Sequence, residues 1–199
     1  MKYMVGLKNG DKELLRCIKE NKENIYEVYF SWGDIPNGRT SQVTSEAYAP
    51  WEMQEMQRQA VKELSDAGVS LNLLFNANCY GKDSQSRAFS HKVGTVIDYV
   101  SEYYGLQSIT TTSPLIAKFV HQNFENIEVR ASVNMEIGTI QGMDYLAEYF
   151  DSYYMKREFL KEDINKLWQK KIAPIQKWLT MLFTEVVAQK CKWISWMWQ

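Results

Sequence analysis

The stretch Ile127–Met135, IEVRASVNM, alternates without a break. Ile127, Val129, Ala131 and Val133 are apolar, and Glu128, Arg130, Ser132 and Asn134 between them are polar. A period of two marks a β-strand with chemically different faces. A strand that turns its polar face to water says little about function. A strand that turns it to a protein interior must supply partners for Arg130, Ser132 and Asn134, because burying a charge or an amide without one is costly.

The stretches on either side decide which case applies. Upstream, SPLIAKFVHQNF reads as a helix with Ser113 at its N-cap and Pro114 at the first helical position. Before it come LQSITTT as a strand and HKVGTVIDYVSEYYG as a helix, its Val93, Val96, Ile97 and Val100 on one side and Gly105 closing it. VSLNLLFNAN is the preceding strand. PWEMQEMQRQAVKELSDAG is the preceding helix, with Pro50 at its start, Gly68 at its end, and Met53, Met56, Ala60, Val61 and Leu64 as its apolar stripe. Earlier still, IYEVYFS reads as a strand, KELLRCIKEN as a short helix and YMVGL as a strand. Downstream, QGMDYLAEY is a short helix, FDSYYMKRE a strand and KEDINKLWQKK a helix.

A strand followed by a helix, repeated, means parallel strands joined by right-handed crossovers. The fold class is therefore α/β. Strands of a parallel sheet are covered on both faces and usually read as apolar throughout. These do not: Glu27 and Ser31, then Asn72, Asn76 and Asn78, then Ser108, Thr110 and Thr112, then Arg130, Ser132 and Asn134 each fall on one side of a strand. The strand FDSYYMKRE ends in Lys156, Arg157 and Glu158. A barrel explains a recurring polar face better than an open sheet, since its helices cover the outside and its interior can hold a polar ring. The expected architecture is a parallel barrel of the triosephosphate-isomerase type, incomplete at about six or seven strands because the full barrel needs about eight strands and about 250 residues. Glu27 and Arg130 are the evident charge partners.

Bulk properties fit a globular protein: 199 residues, 45% apolar, 24% charged and a formal net charge of −1. That charge gives no indication of nucleic-acid binding. No apolar run is long enough for a signal peptide or a membrane span, so a cytoplasmic location without membrane association is expected. Cys17, Cys79 and Cys191 are scattered and read as free thiols with no metal-ligand spacing. No metal site is expected. The sequence contains no glycine-rich phosphate loop, no HExxH and no GxSxG. His91 and His121 fall in helical patterns and read as surface residues. Cys79 ends a strand, where a nucleophile would be useful, but no histidine stands at a neighbouring strand end to activate it.

EVYFSWGDIPNGR, LNLLFNANCYG, TTTSP, RASVNM and FDSYYMKRE, in that order, resemble the barrel part of the collagenase-like peptidase family, peptidase family U32, in an uncharacterised bacterial branch. The resemblance covers roughly Ile25 to Leu167. It implies an isomerase-type barrel and a hydrolase with a polar pocket at the C-terminal ends of its strands, acting on a small-molecule or peptide substrate. It maps the family's typical Ser and Asn onto Ser132 and Asn134, its Arg-Glu-Leu motif onto Arg157 and Glu158 with Phe159 in place of Leu, and its loop Gly and Arg onto Gly33 and Arg39. Glu27, Glu158 and Arg157 are then the catalytic candidates, and Asn76, Asn78, Arg130, Ser132, Asn134 and Arg39 the substrate-binding ones. In that scheme Arg130 or Arg157 clamps an anionic group and Glu158 or Glu27 is the acid–base residue. Other members resemble oxygen-independent hydroxylases acting on RNA bases or quinone precursors through an iron–sulfur cluster. The cysteine set they use has no equivalent here, so the cofactor stays unassigned. A non-catalytic fragment or binding module is the third reading.

After about Leu182 the resemblance stops, which divides the chain into a partial barrel over 1–182 and a divergent tail over 183–199. Four of the seven tryptophans, Trp178, Trp193, Trp196 and Trp198, fall in the last 22 residues. A truncated or frame-shifted gene end is the preferred reading of this tail, with packing across the open barrel edge or an oligomer contact as alternatives. An unfinished barrel leaves strand edges that invite pairing, so self-association through the edge and the tail is expected.

Overall fold

The structure is a computed structural model. It describes residues 2–33, 35–37, 50–154 and 177–179, the last as backbone alone. Arg39, Arg157, Glu158, the helix expected over KEDINKLWQKK, Cys191 and the tail 183–199 lie outside the described residues.

Among the described residues seven strands form one sheet in which every neighbouring pair is parallel and the spatial order is the chain order: β1 (Tyr3–Gly6), β2 (Ile25–Phe30), β3 (Leu71–Phe75), β4 (Ser108–Thr111), β5 (Glu128–Ala131), β6 (Ser152–Tyr154) and β7 (Lys177–Leu179). Helices α1 (Lys12–Glu20), α2 (Pro50–Asp66), α3 (Arg87–Tyr104), α4 (Pro114–Asn123) and α5 (Ile140–Leu146) lie between successive strands. Strands that stay in sequence order while every connection is a crossover wind in one direction, and this is an incomplete α/β barrel.

The curl of the sheet is measured by its side chains. In a flat sheet β6 would stand about 19 Å from β2, four steps of about 4.8 Å. The Tyr154 hydroxyl on β6 nevertheless lies 3.0 Å from Glu27 Oε1 on β2 and 3.4 Å from Met4 Sδ on β1. The inward faces therefore converge.

The outward residues of the strands meet the helices. Val28, Phe30, Leu73, Phe75, Ile109, Val129 and Tyr153 join Leu64 and Val61 of α2, Val93, Ile97 and Val100 of α3, Ile116, Ala117 and Val120 of α4 and Met143 of α5 in one buried cluster. The stripe expected on α2 is only partly buried: Ala60, Val61 and Leu64 are, whereas Met53 and Met56 are intermediate. Gln57 joins the buried side instead, where its Nε2 donates to the Ser31 carbonyl at the end of β2.

Local signals act as the sequence suggests. Ser113 Oγ accepts from the Ile116 N–H at 3.4 Å and caps α4. Gly105 ends α3 in the left-handed region at φ +67°, a conformation that costs an L-residue with a Cβ. Helix α3 begins four residues before His91, at Arg87, capped by Ser86. The stretch IEVRASVNM is shorter as a strand than its alternation predicts: β5 ends at Ala131 and Val133–Met135 is a 3₁₀ turn. Ser132 causes the break, its hydroxyl accepting from the Asn134 N–H at 3.2 Å in competition with further strand pairing.

Candidate functional site

Glu27 lies on the inward side of β2 and is 1% exposed. Its carboxylate accepts four hydrogen bonds, from Asn72 Nδ2 of β3 at 2.9 Å, Tyr154 Oη of β6 at 3.0 Å, Ser108 Oγ of β4 at 3.4 Å and Arg130 Nη1 of β5. Two carboxylate oxygens offer about four lone-pair sites in all, so each one here is matched to a protein donor. The interior thus satisfies this charge by gathering donors from four other strands, which is how a buried ion is kept in a low-dielectric setting.

Arg130 is 2% exposed and stands in register between Thr110 of β4 and Ser152 of β6. Its Nη1 is paired with Glu27 and its Nη2 donates to Glu128 Oε2 at 2.9 Å. Burial opposes its charge, but the Glu27 carboxylate and the hydrogen bond to Glu128 outweigh that and hold its pKa above the ordinary guanidinium value. The Tyr26 ring lies over the guanidinium, 5.7 Å from centroid to Cζ. Tyr26 sits at a bulge: Tyr3 pairs with Ile25 and Met4 with Glu27, so Tyr26 is the extra residue of β2. A bulge re-aims a side chain that strict alternation would send to the other face.

The network continues outward from this pair. Thr110 Oγ1 donates to Asn72 Oδ1 at 3.0 Å, and Ser152 Oγ donates to Glu128 Oε1 at 2.8 Å. Tyr154 has its pKa raised, first by burial and then by the adjacent Glu27 charge. Its phenol therefore stays a donor to Glu27.

At the C-terminal ends of the strands a second, wetter group forms. Asn134 is exposed, and its Nδ2 donates to the Asn76 carbonyl at 3.1 Å, joining the end of β5 to the end of β3. Asn78 and Cys79 are exposed just beyond Asn76. Thr112 Oγ1 donates to the Ala77 carbonyl at 2.5 Å, and the Tyr80 hydroxyl reaches the Phe75 carbonyl. Burial raises the Tyr80 pKa. Ser132 is 2% exposed and acts here as the cap of the 3₁₀ turn.

The structure therefore brings Glu27 and Arg130 into direct contact and groups Asn76, Ser132 and Asn134 at the rim, with Asn78 beside them. Arg39, Arg157 and Glu158 fall outside the described residues. Glu128, Ser152, Tyr154 and Tyr26 are network members absent from the candidate set. Parity could have found three of them, since Glu128 alternates in step with Arg130, and Ser152 in step with Tyr154. Tyr26 has the opposite parity from Glu27 and is recruited only by the bulge.

Neither histidine enters the site. His91 is exposed, and His121 faces Asp151 at 3.8 Å at the C-terminal end of α4. The expectation of three free thiols needs correction: Cys79 is free and exposed, but Cys17 is disulfide-bonded. Among the described residues no group of three or more His, Cys, Asp and Glu side chains could hold a metal ion. Cys17 and Cys79, the cysteines among the described residues, do not make a cluster-binding set. No helix among the described residues is long and apolar enough to cross a membrane.

Comparison of the whole fold with solved structures gives a U32 peptidase, aligned over 96% of this chain and 78% of that one with a TM-score of 0.68 and 12% identity. The fold is U32-like. A phosphodiesterase from Oleispira antarctica, solved in complex with the product sn-glycerol-3-phosphate, aligns over 96% of this chain and 88% of its own with a TM-score of 0.55 and 13% identity. At these identities the shared property is the barrel itself. No family model matches the chain, and no curated protein matches it by sequence. In isomerase-type barrel enzymes active sites are built at the C-terminal strand ends, and Asn76, Asn78, Ser132 and Asn134 follow the C-terminal ends of β3 and β5.

Proposed function

We propose that the chain is a hydrolase of the U32-peptidase type, taking a small-molecule or peptide substrate at the C-terminal ends of its strands. The observation that carries this reading is the bridge from Asn134 to the Asn76 carbonyl, which joins the ends of β5 and β3 at that rim, in a barrel whose interior holds the Glu27–Arg130 ion pair. Rigid support beneath adaptable polar groups is the arrangement a binding site needs.

Within this reading the two layers divide the work. Asn76, Asn78 and Asn134 contact substrate. Glu27 uses all its lone pairs on buried donors and fixes Arg130, so the acid–base role passes to Glu158, with Arg157 beside it for an anionic group and Arg39 as a further substrate contact. Ser132 sets the direction of Asn134 through the turn it caps.

The test is hydrolysis of a mixed peptide library by the full chain, followed by mass spectrometry of the products. Cleavage by the unaltered protein that falls at least a hundredfold in Glu158→Gln and at least tenfold in Asn134→Ala, with folding unchanged, is the expected result. Equal cleavage by all three proteins would remove the assignment, and no cleavage by any would remove the peptidase reading.

A further inference from the structure

One nitrogen of Arg130 has no partner among the described residues. Arg130 presents five N–H groups in a planar fork, and its two Nη atoms face Glu27 and Glu128. Its Nε is buried and has no hydrogen-bond partner among the described residues. A buried donor left unmatched carries the full cost of its lost hydration, and native interiors rarely retain one. Tyr26 lies over the guanidinium, so the acceptor must approach in the plane of the fork.

The charge around Arg130 decides what kind of acceptor fits. Glu27 already balances the guanidinium, and Glu128 brings a second carboxylate to it. An anion placed at Nε would sit in the field of both carboxylates at short range and low dielectric, where like charges repel strongly. A neutral oxygen has no such penalty and still gains a charge-assisted hydrogen bond. We propose that Arg130 Nε is a subsite for a neutral carbonyl oxygen, of the peptide or amide class, and is not an anion clamp. This rests on the proposed hydrolase reading for its biological setting, and it narrows the substrate to one offering an uncharged carbonyl to the interior of the barrel.

The test observes the arginine Nε–Hε resonances of the ¹⁵N-labelled full chain by nuclear magnetic resonance. Tyr26→Leu identifies the Arg130 signal through loss of the ring-current shift while leaving both carboxylate partners of Arg130 in place, and Arg130→Lys checks the identification by deleting the signal. N-acetylglycine N-methylamide is then added as the neutral probe, and acetate and inorganic phosphate as the anionic ones, all at constant ionic strength. A saturable shift of the Arg130 signal with the amide and at least tenfold weaker response to either anion is the expected result. A response to acetate or phosphate equal to or greater than the amide's overturns the proposal. A signal unmoved by every probe, including one that exchanges only with a bound water, also overturns it by making Nε a structural donor. Binding is read without turnover, so a chain that binds the amide but cleaves no peptide counts against the hydrolase reading alone.

Discussion

Tyr154 donates its phenol to Glu27 Oε1 at 3.0 Å although 127 positions of chain separate the two residues. The contact joins the sixth strand to the second and is possible only because the sheet curls. It also supplies one of the four donors that hold a fully buried carboxylate, so the curl of the sheet and the satisfaction of its central charge go together.

Removing the centre of that network should be severe. Glu27→Ala leaves Arg130 Nη1 buried without its partner, and breaking a buried ion pair from one side costs about 3–5 kcal/mol. Replacing both residues, Glu27→Met with Arg130→Met, should recover most of the loss, since no charge is then stranded. Urea unfolding of the two single variants and the double variant checks this, and strictly additive losses would show that the pair is not coupled.

Alkaline stability follows from the inward and outward tyrosines. Burial raises the Tyr154 pKa above the ordinary 10.0, with Glu27 adding to the effect, and burial pushes Tyr153 up to about 12. In the unfolded chain both ionise near the ordinary value. Their stabilising contribution is therefore complete below about pH 10 and is lost as pH rises through the folded pKa values. Unfolding midpoints measured from pH 8 to 12 should fall from about pH 10 upward, and Tyr154→Phe should flatten part of that fall. An unchanged alkaline slope in Tyr154→Phe would mean that its proton does not matter to folding.

The rim should separate from the frame. Asn134→Ala removes an exposed side chain and one hydrogen bond to the Asn76 carbonyl, so its cost to stability should stay near 1 kcal/mol. Any loss of turnover well beyond that must come from substrate contact. Parallel thermal melts and activity measurements on Asn134→Ala distinguish a rim residue from a structural one, because a structural residue would lose both together.

Helix α4 offers a control at a distance from Glu27. Ser113→Ala deletes the side-chain acceptor for the Ile116 N–H and should cost about 1 kcal/mol. Ser113→Asp should restore it. The Arg130 Nε–Hε resonance should be unchanged in both variants, which a spectrum of each would show.

Sequence alone determined the order of strands and helices, the caps at Ser113 and Gly105, and the inward side on which Glu27, Asn72, Ser108, Thr110 and Arg130 fall. Period, caps and left-handed glycines are local properties, written within a few residues of where they act. The tertiary structure decided which inward groups meet. Tyr154 reaches Glu27 because the curl shortens a span of about 19 Å to a hydrogen bond. Tyr26 reaches Arg130 because a bulge against β1 turns it inward, and Asn134 reaches Asn76 because Ser132 ends β5 in a turn where the alternation of the sequence continues. Each of these depends on a neighbouring strand, and a pattern read along one strand carries no record of its neighbour.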